Sequence, residues 1–422
     1  MAESTPASRN LAPLAVVAIL CLAGFVLLSG ELGRDTAPSS SSSLDGPIVV
    51  EPGSCSSKLN RAKLDESLDL GVKFLLAHQR DEGNFDYEYD WIKKTYTPGD
   101  SQVRQAGAAW GLALIYHDNP SPEVAAALDQ ALGFFERHSA TTEDGARFIR
   151  YPGDKTGSLG TVALVALAHI DYLRGGENTL PAERTTKLRA HLDEYLKFLL
   201  SARQDEGRFH AKFSVDDGTP RGRPSPYFDG EALLAMTKAA RYLGRDDLRD
   251  IVRQEADAGY QLNNVEARRK DPDSNTTKGY YQWSSMVYFE LATSGWDDVR
   301  KYGDWLIELA DWMIDTHRTL KRARNTAYAY EGIVPAYQVA ALRGDRAHAE
   351  KFACTMEKGL AKLTSWQLGH SLANTFIREH NPTDPEAIGG IQNHRKEAPL
   401  RIDVTQHQMH AVILARRYYW TK

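Results

Sequence analysis

Cysteine is scarce in this chain. Three occur in 422 residues, at Cys21, Cys55 and Cys354, too few for a thiolate zinc cluster in the soluble part. An excess of one charge sign is also missing. The formal net charge is −5, and no long basic or acidic run forms a tail, so nothing points to nucleic acid. There is no Gly-rich phosphate loop followed by Lys-Ser/Thr and no G-x-S-x-G elbow, which leaves NTP hydrolysis and serine-hydrolase chemistry unsupported. Long apolar runs are absent with one exception. Leu11 to Leu28 carries no charge, about the length that spans a hydrocarbon core as a helix.

That stretch has Arg9 before it and Glu31, Arg34 and Asp35 after it, a balance that favours a cytoplasmic N-terminus. A cleaved signal peptide is the rival reading, but the n-region lysines and a clean A-x-A site are missing. Ile19 and Leu20 precede Cys21 where a lipoprotein site needs a small residue. The expectation is a cytoplasmic tail over 1–10, a transmembrane signal anchor over 11–29, a flexible Ser/Pro-rich linker over 30–57 and one domain over 58–422. The anchor would be a single pass through the cell inner membrane, with the domain in the periplasm or outside the cell. There a Cys55–Cys354 disulfide is permitted; two unrelated thiols is the other reading.

What is present is helical pattern. Hydrophobic residues make up 42% and charged residues 25%, a globular balance. From about residue 60, two kinds of segment alternate. Charged amphipathic segments cover about 62–80, 121–138, 181–203, 246–264, 298–318 and 346–364, each with an apolar stripe and one wet face. Segments rich in small and apolar residues cover about 102–116, 158–174, 229–242, 283–293, 326–342 and 404–416. The alternation predicts an all-α double ring of six hairpins with the apolar set inside. Connections from inner to outer helices are short, whereas those from outer to inner are long: 81–101, 207–228 and 265–282. Long loops in a compact domain are usually functional, and all would lie beside the N-termini of the inner helices.

A turn recurs. FLLAHQRDEGNF (Phe74 to Phe85) matches FLLSARQDEGRF (Phe198 to Phe209), with a fainter copy from Glu143 to Phe148. The Gly allows a left-handed helix end, and the Phe can fold back onto the ring. With Gln79, Asp81, Glu82, Gly83 and Phe85, this element looks like the Gln-x-x-Asp-Gly-aromatic turn of α/α-toroid proteins such as terpene cyclases. Six hairpins also resemble the six-hairpin glycosidase and polysaccharide lyase toroids. The resemblance covers residues 60–422 in architecture but only the repeated turn in motif. It implies an (α/α)6 toroid. The Asp-x-Asp-Asp run of proton-initiated cyclases is missing, as is a Cys and His set for the zinc of prenyltransferases or lanthionine cyclases, which disfavours those activities.

Polar residues recur where the inner helices begin and would converge on one pocket. Glu331, Asp229, Glu231 and Asp403 are the candidate catalytic carboxyls, since glycoside cleavage needs two such groups facing each other. Glu331 with Asp229 or Glu231 is the leading pair, with Asp403 next. Arg104, Gln105, Tyr87, Tyr227, Tyr281, Trp283, Tyr328, Arg401, Gln406 and His407 are candidates for substrate binding. Aromatic faces would stack on sugar rings, and the arginines would hold a carboxylate or sulfate. Tyr227 or His407 could be the base of a lyase or epimerase. Each candidate also has a structural reading. First-turn acids stabilise the helix dipole, Arg104 can clamp Asp90 or Glu88, and His407 can be a hydrogen-bonded rim residue. Trp110 and His169 read as core. His407 and His410 share a helix face without a third ligand, so neither metal nor cofactor is expected.

Two functions from different classes follow. One is a membrane-anchored carbohydrate-active enzyme of the cell envelope, acting on a neutral or acidic polysaccharide by hydrolysis, elimination or epimerisation. The alternative is a non-catalytic envelope protein that binds a glycan, lipid or protein through the toroid's concave face. Two carboxyls within catalytic distance would favour the enzyme; carboxyls paired to arginines would favour binding.

Overall fold

The computed structural model describes residues 46–56 and 58–422. The expected tail, anchor and first half of the linker lie outside the described residues. Among those described, no helix is long and apolar enough to cross a membrane.

Six inner helices form a closed ring: α2 (Gln102–Asp118), α4 (Leu159–Gly175), α6 (Pro226–Tyr242), α9 (Asn275–Ala292), α11 (Ala327–Leu342) and α14 (Ile402–Tyr418). Each packs on the next, and α14 returns to α2. The outer layer comprises α1 (Arg61–Ala77), α3 (Pro122–Arg137), α5 (Ala182–Ser201), α7 (Arg249–Gly259), α10 (Arg300–Asp311) and α12 (Arg346–Thr364). A π-helical stretch (Tyr260–Glu266) and the short α8 (Ala267–Lys270) prolong α7, and another π-helical stretch (Trp312–Thr316) prolongs α10. A short α13 (Thr375–His380) lies in the last long connection. The alternating pattern thus appears as the expected (α/α)6 toroid.

Small residues make the inner ring possible. A Cβ on Gly111 would meet Gln406 at 2.5 Å, and one on Gly230 would meet the Cβ of Trp283 at 2.4 Å. The inner faces are dry: Leu112, Leu167, Ala235, Val287, Ile333 and Val412 are all buried. Each fully buried large side chain contributes about 1.5–3 kcal/mol, so apolar packing rather than the short strands holds the ring.

The strands lie in the long loops, where the helical pattern gave no sign of them. Glu88–Asp90 pairs with Thr95–Tyr96 and with Pro399–Arg401, antiparallel, Glu88 opposite Arg401. This ties the first long loop to the last. Thr156–Ser158, Lys212–Ser214 and Pro220–Arg221 form a second small sheet.

The repeated turn is built the same way three times. Gly83, Gly145 and Gly207 have φ of +98°, +83° and +74°, which glycine adopts without a Cβ penalty. Phe85, Phe148 and Phe209 fold back into the core.

The spacer ends earlier than expected. Residues 46–56 are docked against the closed end of the ring. Ile48 donates its N–H to the Ala341 carbonyl at 3.0 Å. The buried Glu357 carboxylate accepts from the backbone N–H groups of Gly53, Cys55 and Ser56 at 2.5, 2.8 and 2.6 Å, and from the Tyr419 hydroxyl at 2.6 Å. Cys55 and Cys354 form a disulfide, Cα–Cα 5.2 Å, so of the two readings for these thiols the bonded one holds. Composition marks Ser and Pro content; it does not reveal a carboxylate three hundred residues away that satisfies a strap.

Candidate active site

At the N-terminal ends of the inner helices a cavity of about 650 Å³ opens to solvent. Arg104 from α2, Tyr227 and Glu231 from α6, and Gln282 and Trp283 from α9 line it. So do Tyr328 from α11, and Arg401, Asp403, Gln406 and His407 at the start of α14. The long loops add His317, Arg322, Arg324 and Asn393, and α9 adds Lys278.

The four candidate carboxyls separate by environment. Glu231 is buried and lines the cavity. One carboxyl oxygen has no hydrogen-bond partner among the described residues, and burial pushes its pKa well above the ordinary carboxylate value. Burial of this kind favours the protonated form of the carboxyl. Asp403 also lines the cavity but is clamped. Arg401 grips it through two bonds of 3.0 Å, and Arg104 approaches at 3.2 Å. Two of the four are therefore not where the sequence placed them. Asp229, on the opposite side of its helix turn from the cavity, bonds Arg208 at 2.7 Å and the Phe209 N–H at 3.1 Å. Glu331 is fully buried behind the cavity wall, between two histidines of α14. His410 Nδ1 lies 2.7 Å from one carboxylate oxygen and His407 Nδ1 lies 3.2 Å from the other.

The Glu331–His407 pair has a definite electrostatic sense. Burial pushes the Glu331 carboxyl up, but the charge and hydrogen bonds of His407 and His410 outweigh it, and its pKa ends below the ordinary value. Burial pulls His407 down, yet the Glu331 carboxylate outweighs this and the imidazole ends raised. A quarter of the His407 side chain is exposed, 25% against 0% for Glu331. The imidazole can therefore touch a ligand, while the carboxylate positions it. His407 also meets Gln282 at 3.3 Å and packs near Trp283. In the ring order, α6 is third and α14 is sixth, so Glu231 and His407 line the cavity from opposite helices.

Three candidate binding residues serve the scaffold instead. Gln105 accepts from the Phe85 N–H and donates to the Phe85 carbonyl, both at 2.8 Å. It locks the repeated turn, as Asp229 does for the later copy. In both cases 20 residues separate the partners, a spacing readable in the sequence once the repeat is aligned. Tyr281 is buried and donates to the Ala329 carbonyl at 3.1 Å. Tyr87 is nearly buried and takes a hydrogen bond from Arg104, so it orients that arginine rather than lining the cavity. Arg104 does not clamp Asp90 or Glu88; its carboxylate is Asp403.

Sequence reasoning missed His317. It follows the π-helical stretch after α10, stacks on Trp312, and bonds Asp273 at 2.7 Å and the Tyr328 hydroxyl at 3.2 Å. Burial lowers its pKa more than Asp273 raises it, so it is a neutral imidazole at the cavity wall. Burial pushes Tyr328 up to about 12, which keeps its hydroxyl protonated. The signal lay in an irregular helix end, which helical periodicity does not register.

No protein-family model and no curated protein sequence matches the chain. Solved structures do. The cellobiose 2-epimerase of Bacillus thermoamylovorans superposes with a TM-score of 0.61 at 12% identity, covering 84% of this chain and 99% of that one. The cellobiose 2-epimerase of Spirochaeta thermophila gives 0.58 at 15%, covering 85% and 96%. An α-mannanase of Bacteroides thetaiotaomicron gives 0.56 at 9%, covering 87% and 98%. Likeness at these identities is a likeness of fold. The chain has an α/α-toroid fold.

Proposed function

We propose that the protein is a carbohydrate-active enzyme that transfers protons on an anionic glycan, with Glu231 as the acid and His407 as the base. The observation that carries this is the presence at one cavity of a buried carboxyl with a partnerless oxygen and an imidazole backed by a buried carboxylate. The wall brings five cations, Arg104, Lys278, Arg322, Arg324 and Arg401, against two acidic residues, Glu231 and Asp403. Arg322 and Arg324 also pair with Asp273 and Glu397, and the remaining excess of cations over acids on the wall supports a uronate as ligand. Trp283 and Tyr227 supply faces for sugar rings.

The chemistry follows from the charges. A proton on the carbon beside a uronate carboxylate is acidic only if the developing charge on that carboxylate is stabilised. Arg104 and Arg401, which line the cavity beside Asp403, would supply that stabilisation. His407 takes the proton as the C–H bond breaks, and Glu331 stabilises the imidazolium that results. Return of a proton to the opposite face gives the epimer. Alternatively, the neighbouring C–O bond breaks, Glu231 gives its proton to the leaving oxygen, and an unsaturated uronate remains.

A second enzymatic reading uses Asp403. As the other carboxyl at the cavity it would activate water opposite Glu231, the arrangement of an inverting hydrolase. Its two arginines oppose this, since they occupy the lone pairs a base needs. The arginine pairing of Asp403 and Asp229 is the feature that favours a binding protein; the free Glu231 and the His407–Glu331 pair favour an enzyme. The neighbours' printed activities, on cellobiose and mannan, are consistent with sugar chemistry in this fold, which hosts many functions.

The setting proposed is the cell envelope, with the toroid held by the uncharged stretch Leu11 to Leu28 as a single-pass anchor. The Cys55–Cys354 disulfide supports an oxidising compartment such as the periplasm.

The test incubates the full chain, in detergent, with polyuronates and neutral polysaccharides in heavy water. Deuterium entering the uronate means epimerisation, and ultraviolet absorbance of an unsaturated uronate means elimination. New reducing ends without absorbance would replace the proton-transfer reading with hydrolysis. Binding without product would replace it with a binding role.

A further inference from the structure

A second cavity of about 600 Å³ lies on the same face, outside the mouth of the first. Lys362, Arg395 and Lys396 bring the charge; Trp366 and Phe376 bring the aromatic faces. No acidic residue lines it. Among the described residues none of the three cations has an ion-pair partner. The Lys362 ammonium is held instead by the backbone carbonyls of Arg322 and Leu320, at 2.6 and 3.4 Å, and sits 5.2 Å from the Trp366 ring. Carbonyls fix the ammonium without neutralising it, so its charge stays available to a ligand. Arg395 and Lys396 are exposed.

The two cavities share their partition. Arg322, whose carbonyl holds Lys362, lines the first cavity, as does Asn393. Arg395 and Lys396 follow two and three residues after Asn393 on the same loop. Exposed Arg318 and Lys321 precede Arg322 in the chain. On this partition Arg322 is paired with Asp273 and Arg324 with Glu397, so the unpaired cations that a strand leaving the first cavity meets are those of the second, beside its aromatic faces.

We propose that the second cavity is an auxiliary subsite for the outgoing strand of an anionic polysaccharide, so that the protein engages several sugar units at once. This rests on the reading of the first cavity as a site for an anionic glycan. It predicts that the natural ligand is a polymer rather than a mono- or disaccharide. Lys362, Arg395 and Lys396 neutralise successive carboxylates, while Trp366 and Phe376 border the path of a sugar ring. Two linked weak sites gain affinity only for a ligand long enough to reach both.

The experiment compares the full-length protein with R395E/K396E. Both residues are exposed and lie outside the cavity that holds Glu231 and His407. Calorimetry would measure binding of polygalacturonate, heparin, neutral mannan and digalacturonate. The expected result is that the substitutions weaken polygalacturonate binding by about tenfold or more, because charge complementarity is reversed at two positions. Digalacturonate affinity stays unchanged. Heparin separates a general polyanion preference, lost in parallel, from a carboxylate-specific one, in which it binds weakly from the start; both outcomes keep the subsite. Equal polygalacturonate affinity in both proteins overturns the proposal, as does mannan binding as tightly as the polyanion, or no polyanion binding at all. Should polymer binding depend on Arg395 and Lys396 while no glycan is converted, the subsite stands and the proton-transfer reading falls.

Discussion

Replacing Glu331 by Gln keeps the size of the side chain and removes its charge. The carboxylate is fully buried, 3.2 Å from His407 and 2.7 Å from His410. At the longer distance, with an effective dielectric of about 20, attraction to an imidazolium is about 5 kcal/mol before desolvation. Desolvation of two buried groups offsets part of that. Breaking a buried pair at one partner costs about 3–5 kcal/mol, and the isosteric amide places this variant near the lower end. The loss depends on pH in a defined way. His407 has a raised pKa in the folded protein, so its contribution is full below the ordinary value of 6.5 and is lost as pH rises through the folded value. Glu331 has a lowered pKa, so its contribution is full above 4.5 and is lost as pH falls through the folded value. The stability gap between wild type and E331Q is therefore widest between pH 4.5 and 6.5 and narrows on both sides. Urea unfolding across pH measures it. Activity follows the same pair: without the carboxylate, burial pulls the His407 pKa down, so the acidic limb of the kcat/KM profile moves to lower pH while kcat falls about a hundredfold. A stability gap that does not vary with pH, or an imidazole resonance of His407 that titrates unchanged in the variant, refutes this account of the pair.

Glu231→Gln removes the proton donor without removing a bond, since the carboxyl has a partnerless oxygen; it should leave thermal stability within about 1 kcal/mol and lower turnover by about 10²–10⁴-fold, measured on the glycan that the heavy-water test identifies. Asp229→Asn should do the reverse. It breaks the pair with Arg208 and costs about 3 kcal/mol by denaturant unfolding, while turnover per folded molecule stays within about threefold, a ratio that a catalytic Asp229 would exceed. Cys354→Ser opens the link that joins residues 299 apart and should lower stability by about 2–5 kcal/mol. The reductant-treated wild type should match it, and a variant as stable as untreated wild type would mean the disulfide contributes nothing.

The six hairpins were legible because helix periodicity and residue size are local. Stretches such as Val103 to Tyr116 carry their small, uncharged character in the chain itself, and Gly83 and Gly207 mark the same turn by composition alone. Even the face that holds the cavity followed from loop length. The site was legible only as a pool of polar residues at helix starts. Arg104, Glu231, Asp403 and His407 reached the cavity, whereas Asp229 and Gln105, drawn from the same helix turns, point to the repeated turn instead. Helix starts place a side chain near the mouth but do not determine its azimuth, which packing against the neighbouring helix decides.

What the amino-acid order determined alone is the fold, because each inner helix must bury small apolar faces on two neighbours and only a closed ring offers six such places. The tertiary structure decided the chemistry. Whether Glu231 keeps its proton depends on the absence of any donor from five other helices, and whether Glu331 is an acid or a support depends on two imidazoles that lie 76 and 79 residues away along the chain. The docking of residues 46–56 rests likewise on the distant Glu357. Charge and burial at these points are properties of the assembled neighbourhood, and no local stretch of sequence contains them.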